Sequence, residues 1–256
     1  MTMSILDVHL GPALELARRT GDIALSHYRS RLDVEIKADG SPVTRADREA
    51  EFAARAWVDQ YFPDDGLLGE EFGESRPEAR RRWIIDPIDG TKSFVHGVPL
   101  WGSLVALCEG EHVLAGAAYF PAMGEIIGAA PGAGCWWNDA RCSVSGAHAL
   151  SEATVLTTDE RFLERQAAHA GWELLSRRAK VARTWGDCFG YLLVATGRAE
   201  AMIDPVMSPW DAAALQPIVE EAGGVFTDWE GRATAFGGSA IATNAALASQ
   251  VREMLR

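Results

Sequence analysis

Apolar residues recur at helical spacing over roughly residues 4 to 29, where the run from Ile5 to Tyr28 is broken by Asp7, His9, Glu15, Arg18, Arg19 and Asp22. This is the pattern of an amphipathic helix. It has neither the basic start and apolar run of a signal peptide nor the length of unbroken apolar sequence that a membrane span needs. A second helical pattern covers residues 44 to 62, with Phe52, Ala53, Ala56 and Trp57 expected on one side. Short β-like runs follow at Leu67-Leu68, Trp83 to Asp86, Leu100 to Cys108, His112 to Phe120, Glu125 to Ala129 and Ala153 to Thr157. Turn signals such as Pro63-Asp64-Asp65-Gly66 and Pro131-Gly132 separate them.

The second half reads as a helix at about 159 to 170, a strand from Lys180 to Thr184 and a helix from Asp187 to Ala195. A strand at Ala201 to Asp204, a helix from Trp210 to about Ala222, a strand at Gly224 to Thr227 and a last helix from about Asn244 complete it. Strands and helices mix without strict alternation. That predicts α/β content in stacked helix and sheet layers more than a doubly wound sheet.

The 256 residues, 48% hydrophobic, can bury a substantial core, and no repeat or linker marks a domain boundary. A net charge of −12 argues against nucleic acid or an anionic membrane as partner. It does not exclude an anionic small substrate, because acids that hold divalent cations create a locally positive site. Cys108, Cys135, Cys142 and Cys188 form no CxxC pair, which predicts free thiols in a reducing compartment, the cytoplasm by default.

The chemistry concentrates in "DPIDGTKSF", residues 86 to 94, at the end of the apolar run Trp83-Ile84-Ile85. Three other acidic spots also end apolar elements: Asp47 in "PVTRADRE", Glu70-Glu71 in "LLGEEFGE" and Asp211 in "SPWDAAA". Singly, each has a local explanation. Asp47 closes a capping box with Thr44, Asp211 sits in the first turn of a helix after Pro209, and Asp89-Gly90 is a turn pair. Together, Glu70, Asp86, Asp89 and Asp211 supply carboxylates from three segments, the oxygen-rich set that Mg²⁺ takes, and no His or Cys cluster competes for a softer metal. Gly90 and Thr91 open a short helix whose free N–H groups can meet an anion. No GxxxxGK[ST] loop occurs, and Ile88 stands where an aspartate-nucleophile phosphatase carries its second acid.

The segments "GEE", "WIIDPIDGTKSFVHG" and "PWDAAALQPIVEEAGG", in that order and spacing, resemble the inositol monophosphatase family of Mg²⁺-dependent, lithium-sensitive phosphomonoesterases. The resemblance runs from "DGSPVTRAD" to "EEAGG". It implies the layered αβαβα sandwich of the inositol monophosphatase and fructose bisphosphatase type, assembled as a homodimer. It also implies one phosphatase domain, with a metal-binding half over about 1–150 and a substrate-side half over about 151–256. By matching position, Glu70, Asp86 and the Ile88 carbonyl hold a first metal and Asp86, Asp89 and Asp211 a second, with Glu70 and waters holding a weaker third. Thr91, hydrogen-bonded to Asp47, orients the attacking water with Glu70, and the Gly90 and Thr91 amides bind phosphate.

Substrate choice falls to "RTWGDCFGYLLVATGRAEAMIDPVMSPWD". Inositol phosphatases carry a small neutral residue near the start of that helix and a glutamate about seven residues before the WD acid. Here the helix opens on Trp185-Gly186-Asp187 and the matching acid is Asp204. The pattern resembles the histidinol-phosphatase branch, whose cationic substrate suits an aspartate beside aromatics. Asp89, Asp187, Asp204 and Asp211 are the expected substrate contacts, although Asp187 is also explained as a helix-start acid. Lys92 is either a surface charge or a screen for the acidic cluster, and His96 a loop residue. A broader monophosphatase acting on inositol or nucleotide 3′-phosphates is the alternative, and an idle metal-stabilised binding protein the reading from another class.

Overall fold

The computed structural model describes residues 8–31, 33–37, 40–162 and 168–255. Helix α1 (Leu10–His27) is followed by a hairpin of β1 (Val34–Ile36) and β2 (Pro42–Thr44), and then by α2 (Arg45–Tyr61). Strand β3 (Gly66–Gly69) pairs with the short edge strand β4 (Gly73–Ser75) and lies parallel to β5 (Arg81–Asp89). After the five-residue helix α3 (Thr91–Val95), an antiparallel meander of β6 (Gly102–Glu109), β7 (His112–Phe120), β8 (Glu125–Ala130), β9 (Gly134–Trp137) and β10 (Ala140–Arg141) completes an eight-stranded sheet.

A five-stranded sheet takes the second half. It comprises β11 (Thr154–Thr157), β12 (Val181–Arg183), β13 (Ala201–Asp204), β14 (Gly224–Thr227) and β15 (Ala240–Asn244), in the order β12-β11-β13-β15-β14. Its helices are α4 (His169–Arg178), α5 (Asp187–Ala195), α6 (Pro209–Ala212), α7 (Leu215–Glu221) and α8 (Ala248–Leu255). Helices α1 and α2 cover one face of the large sheet; α5, α6 and α7 lie between the sheets; α4 and α8 cover the outer face of the small one. The result is the expected αβαβα sandwich.

The large sheet is buried on both faces, so its strands read as apolar runs whose alternate residues serve different layers. Trp83 and Ile85 of β5 pack with α1 and α2, while Ile84 joins the core between the sheets. Period two places Asp86 on the face of Ile84, the face against which α6 packs. Strand pattern thereby aims the first acid of "DPID" at the helix that carries Asp211.

Several sequence-based boundaries change. The helix expected at 159 to 170 is absent over 159–162, lies outside the described residues over 163–167, and is found instead at His169–Arg178, where Trp172 and Leu175 supply its buried contacts. Part of the first helix, residues 4 to 7, also lies outside the described residues. The apolar face of α2 is misplaced: Phe52 is 69% exposed and Ala56 exposed, whereas Ala46, Ala50, Ala54, Trp57 and Val58 are buried together with Asp47 and Glu51. Two buried acids on that face hide it from a hydrophobicity count. Residues 240–244 form strand β15, and the last helix begins at Ala248. The helix from Trp210 breaks at Ala213-Ala214 into α6 and α7.

Candidate active site

Strand β5 ends irregularly. Asp86 lies opposite Leu104 and Asp89 opposite Gly102, three steps on β5 against two on β6, so a bulge re-aims the last carboxylate. The distortion is held locally: the Ile88 amide donates to Asp86 Oδ1 (2.9 Å), and the Ser103 hydroxyl donates to the Pro87 carbonyl (2.6 Å). Gly90 then takes a left-handed conformation (φ 90°), and a side chain there would stand 2.8 Å from the Leu100 carbonyl, so glycine is required. Below the turn, Ile88 and Phe94 are buried with Trp101, Ala24 and Ala46, the Phe94 and Trp101 rings edge to face at 4.8 Å.

The structure brings Asp86, Asp89 and Asp211 together, with one oxygen from each lying within 4.8 Å of the others. Each also has a structural hold. Asp89 Oδ2 accepts the Cys188 amide at the start of α5 (2.5 Å), and Asp211 Oδ2 accepts the Ser208 amide in a capping box (2.7 Å). Burial, then the charges of Glu70 and Asp89, pushes Asp86 well above the usual carboxylate range. Burial, then Asp187 and Asp211, does the same to Asp89. Burial likewise raises Asp211 to about 7. Three carboxylates this close, one buried and two half-buried, are costly to ionise together without a cation between them.

Glu70 lies outside that trio. Lys37, at the end of β1, places its ammonium 2.6 Å from both Glu70 Oε1 and Glu71 Oε1. Burial works against the Lys37 charge but is outweighed by these two acids, so its pKa rises. Burial lifts Glu71 to about 7 despite Lys37. Asp47 closes the expected capping box: Oδ2 accepts from the Thr44 amide (2.8 Å) and hydroxyl (2.6 Å). Its Oδ1 is buried with no hydrogen-bond partner among the described residues. The expected bond from Thr91 to Asp47 is not formed. A hydroxyl has one proton to donate, and that of Thr91 goes to the Ile88 carbonyl at 3.0 Å.

A cavity of about 310 Å³ opens beside the cluster, lined by Gly90, Thr91, Lys92, Arg161, Thr184 and Asp187 among others. Asp187 is left-handed (φ 52°), which Asp tolerates better than most residues, and its Oδ2 lies over Gly90. Burial and then Asp204 raise it to about 7, against Lys92. Asp204 does not line the cavity. It is 5% exposed, and its oxygens accept from the Thr158 amide (3.1 Å) and the Tyr191 hydroxyl (3.0 Å), so it braces the strand and helix beneath the site. His96 is exposed on the Lys92 carbonyl, away from the acids.

Sequence reasoning missed Lys37, Glu51 and the Cys188 amide. Glu51 carried a signal: with Asp47 and Arg55 it falls at i, i+4 and i+8 on a helix, an acid inside a buried stripe. Lys37 carried none, since only the fold brings its hairpin to Glu70.

The donor set fits a hard divalent cation: oxygen donors alone, three of them converging, and a buried orphan oxygen on Asp47 nearby. A "Histidinol-phosphatase" of Chlorobaculum parvum is 47% identical over 231 residues, 90% of this chain and 89% of that protein. A "Histidinol-phosphatase" of Mycobacterium tuberculosis is 39% identical over 93% of this chain and 94% of its own length. Among solved structures, an inositol monophosphatase from Zymomonas mobilis superposes with a TM-score of 0.85 at 33% identity, covering 95% of each chain. The profile described as "Inositol monophosphatase family" matches residues 6–255, and with that match this chain belongs to the inositol monophosphatase family.

Proposed function

We propose that this protein hydrolyses L-histidinol phosphate to L-histidinol and phosphate, with Mg²⁺ as its cation. The observation that carries the substrate is Asp187, a half-buried carboxylate on the cavity wall beside the acidic trio, raised to about 7 by burial and then by Asp204, more than Lys92 offsets. An ammonium or imidazolium group on the substrate would supply the further positive charge that stabilises its ionised form. The relatives named histidinol-phosphatases support the same choice.

In this reading Asp86, Asp89, Asp211 and Glu70, with the Ile88 carbonyl, hold two to three Mg²⁺ ions, which polarise the phosphate ester and lower the pKa of water when bound. The chain's own groups do the rest. Gly90 and Thr91 present backbone amides to the phosphoryl oxygens. The Thr91 hydroxyl, turned from the Ile88 carbonyl, and Glu70 fix the direction of the attacking water. Asp47 caps α2 through Oδ2 and leaves Oδ1 as the acceptor for the Thr91 hydroxyl once that hydroxyl turns. Asp187 holds the amine end of the substrate, and Asp204 keeps the surrounding strand and helix in place. No side chain forms a covalent intermediate.

A second reading, an inositol or nucleotide 3′-phosphate as substrate, draws on Lys92 and Arg161, cations that line the same cavity. Release of phosphate from histidinol phosphate and from inositol 1-phosphate, each with and without Mg²⁺, separates the two. Histidinol phosphate is expected to give the higher kcat/KM, and a preference for inositol 1-phosphate would overturn the assignment. No helix among the described residues is long and apolar enough to cross a membrane. The proposed place is the cytoplasm, whose reducing conditions suit the four free cysteines. The family resemblance carries a homodimer, which light scattering tests.

A further inference from the structure

Glu51 is fully buried on α2, yet the chemistry just described does not use it. Its carboxylate takes the Glu71 amide on Oε2 (2.7 Å) and the Phe72 amide on Oε1 (3.2 Å). Arg55, one helical turn on, donates Nε to Oε1 (2.8 Å) and also reaches the Gly73 carbonyl. The turn that carries Glu70 is therefore pinned on its backbone side by an ion pair reaching out from α2. Glu70's own amide is tied to β5 through the Ile85 carbonyl (3.3 Å), the strand that delivers Asp86. Gly69 leaves the room required, because a side chain there would occupy the space of the Glu51 carboxylate.

We infer that Glu51 is a positioning residue that sets the direction of Glu70 toward the acidic trio, through the backbone of residues 71 and 72. A residue without a side-chain acceptor would leave both part-buried amides unpaired, and glutamine, with one acceptor oxygen in place of two and no charge for Arg55, would hold the turn less firmly and let the Glu70 carboxylate rotate away. Glu51 touches neither the trio nor the cavity wall, so its influence on cation binding passes only through that turn. The inference rests on the proposed role of Glu70 as a cation ligand.

The test is Mn²⁺ binding to the full chain, followed by electron paramagnetic resonance, in Glu51→Gln, Glu70→Gln and the double variant. Loss of a group that orients a ligand typically weakens metal binding about 10- to 100-fold. Glu51→Gln is expected to fall in that range, and to add nothing in the Glu70→Gln background, because residues acting through one contact are not additive. A lowered Tm with unchanged Mn²⁺ affinity would reduce Glu51 to a structural residue. An undiminished effect in the double variant would mean that it acts elsewhere. If Glu70→Gln itself leaves Mn²⁺ binding unaltered, the cation role of Glu70 falls, and this inference with it. Should Glu51→Gln fail to fold, Arg55→Met removes the guanidinium while keeping the carboxylate. It is expected to weaken Mn²⁺ binding in the same direction by a smaller factor, and no change would overturn the inference.

Discussion

The two acidic turns of this protein are built by opposite means. In "DPID" the backbone holds are local or lie on the adjoining strand: an amide two residues on, a glycine at positive φ, and a serine hydroxyl on β6, with the distant Cys188 amide added on the Asp89 carboxylate. In "GEE" the holds come from far away in sequence, with Lys37 on the carboxylates and Glu51 with Arg55 on the backbone. A turn that carries its own bracing keeps its shape as a motif. A turn braced from outside depends on the rest of the fold for its aim. The expected division of labour is that "DPID" sets whether cations bind at all, and "GEE" tunes how tightly and in what geometry.

The largest effect should come from breaking the self-braced turn. Asp86 faces both Asp89 and Asp211, so Asp86→Asn is expected to lower kcat by about a thousandfold or more, since charge stabilisation by a metal centre is worth several kcal/mol. Its fold should survive and even gain, because one of three crowded like charges is gone in the metal-free protein. Melting with and without Mg²⁺ checks this. The variant should melt at or above the unaltered protein without the cation and lose most of the rise that Mg²⁺ gives. Near-normal turnover would end the metal-site reading.

Thr91 and Asp47 sit where the two regions meet. Thr91→Ala and Asp47→Asn are each expected to lower kcat about 10²- to 10⁴-fold while leaving Mg²⁺ half-saturation unchanged, as for a group that orients a reacting water. Asn also caps helices well, so Asp47→Asn should cost about 1 kcal/mol of stability or less. Kinetics and melting on the same sample separate capping from catalysis. An unaffected kcat leaves Asp47 as the capping residue that its Thr44 bonds already make it.

This contrast also explains what could be read from the chain. The strand pattern of Trp83 to Asp86, the turn chemistry of Gly90, the capping box at Thr44 and the first-turn place of Asp211 are encoded within a few residues, and the structure has them. The αβαβα layering came through the family resemblance, with the apolar runs consistent with it. Lys37 was invisible because the strand it ends is short and exposed, with nothing periodic to mark it. Glu51 was missed because a buried acid lowers the apparent hydrophobicity of the face it belongs to. The Thr91 to Asp47 bond failed for a related reason: a position-by-position match does not show that the threonine hydroxyl has a nearer acceptor, the Ile88 carbonyl. Asp204 was assigned to substrate by its place before the WD pair, and the fold instead closes Tyr191 and Thr158 over it.

Specificity gives a smaller expected change. Asp187→Asn should reduce kcat/KM for histidinol phosphate about ten- to a hundredfold, the worth of a charge-assisted hydrogen bond of roughly 1.5–3 kcal/mol. Hydrolysis of p-nitrophenyl phosphate, which has no cation to pair, should hardly move. Equal loss on both substrates would assign Asp187 to the trio instead, through Asp89, whose pKa it helps to raise.

The smallest effect is on stability against pH, and it tests whether the acids of both turns carry their charge at a cost. Asp211 and Glu71 are raised to about 7, in each case by burial first, and Asp86 and Asp89 are also raised. An acid whose pKa is higher in the folded state than in the unfolded chain binds more protons when folded. Its stabilising contribution is therefore complete below the unfolded value near 4 and is lost as pH rises through the folded value near 7. The metal-free protein should accordingly melt at progressively lower temperature between about pH 4 and pH 7, by roughly 2–4 °C for each kcal/mol lost. Saturating Mg²⁺ stabilises the ionised carboxylates and should flatten the decline, most clearly at its upper end. Asp86→Asn should flatten it without Mg²⁺, whereas Glu71→Gln should remove only the share that Lys37 leaves uncompensated. A metal-free melting temperature that rises steadily over this window would mean that ionised, well-paired carboxylates dominate, and that the trio is not held in the strained state its geometry implies.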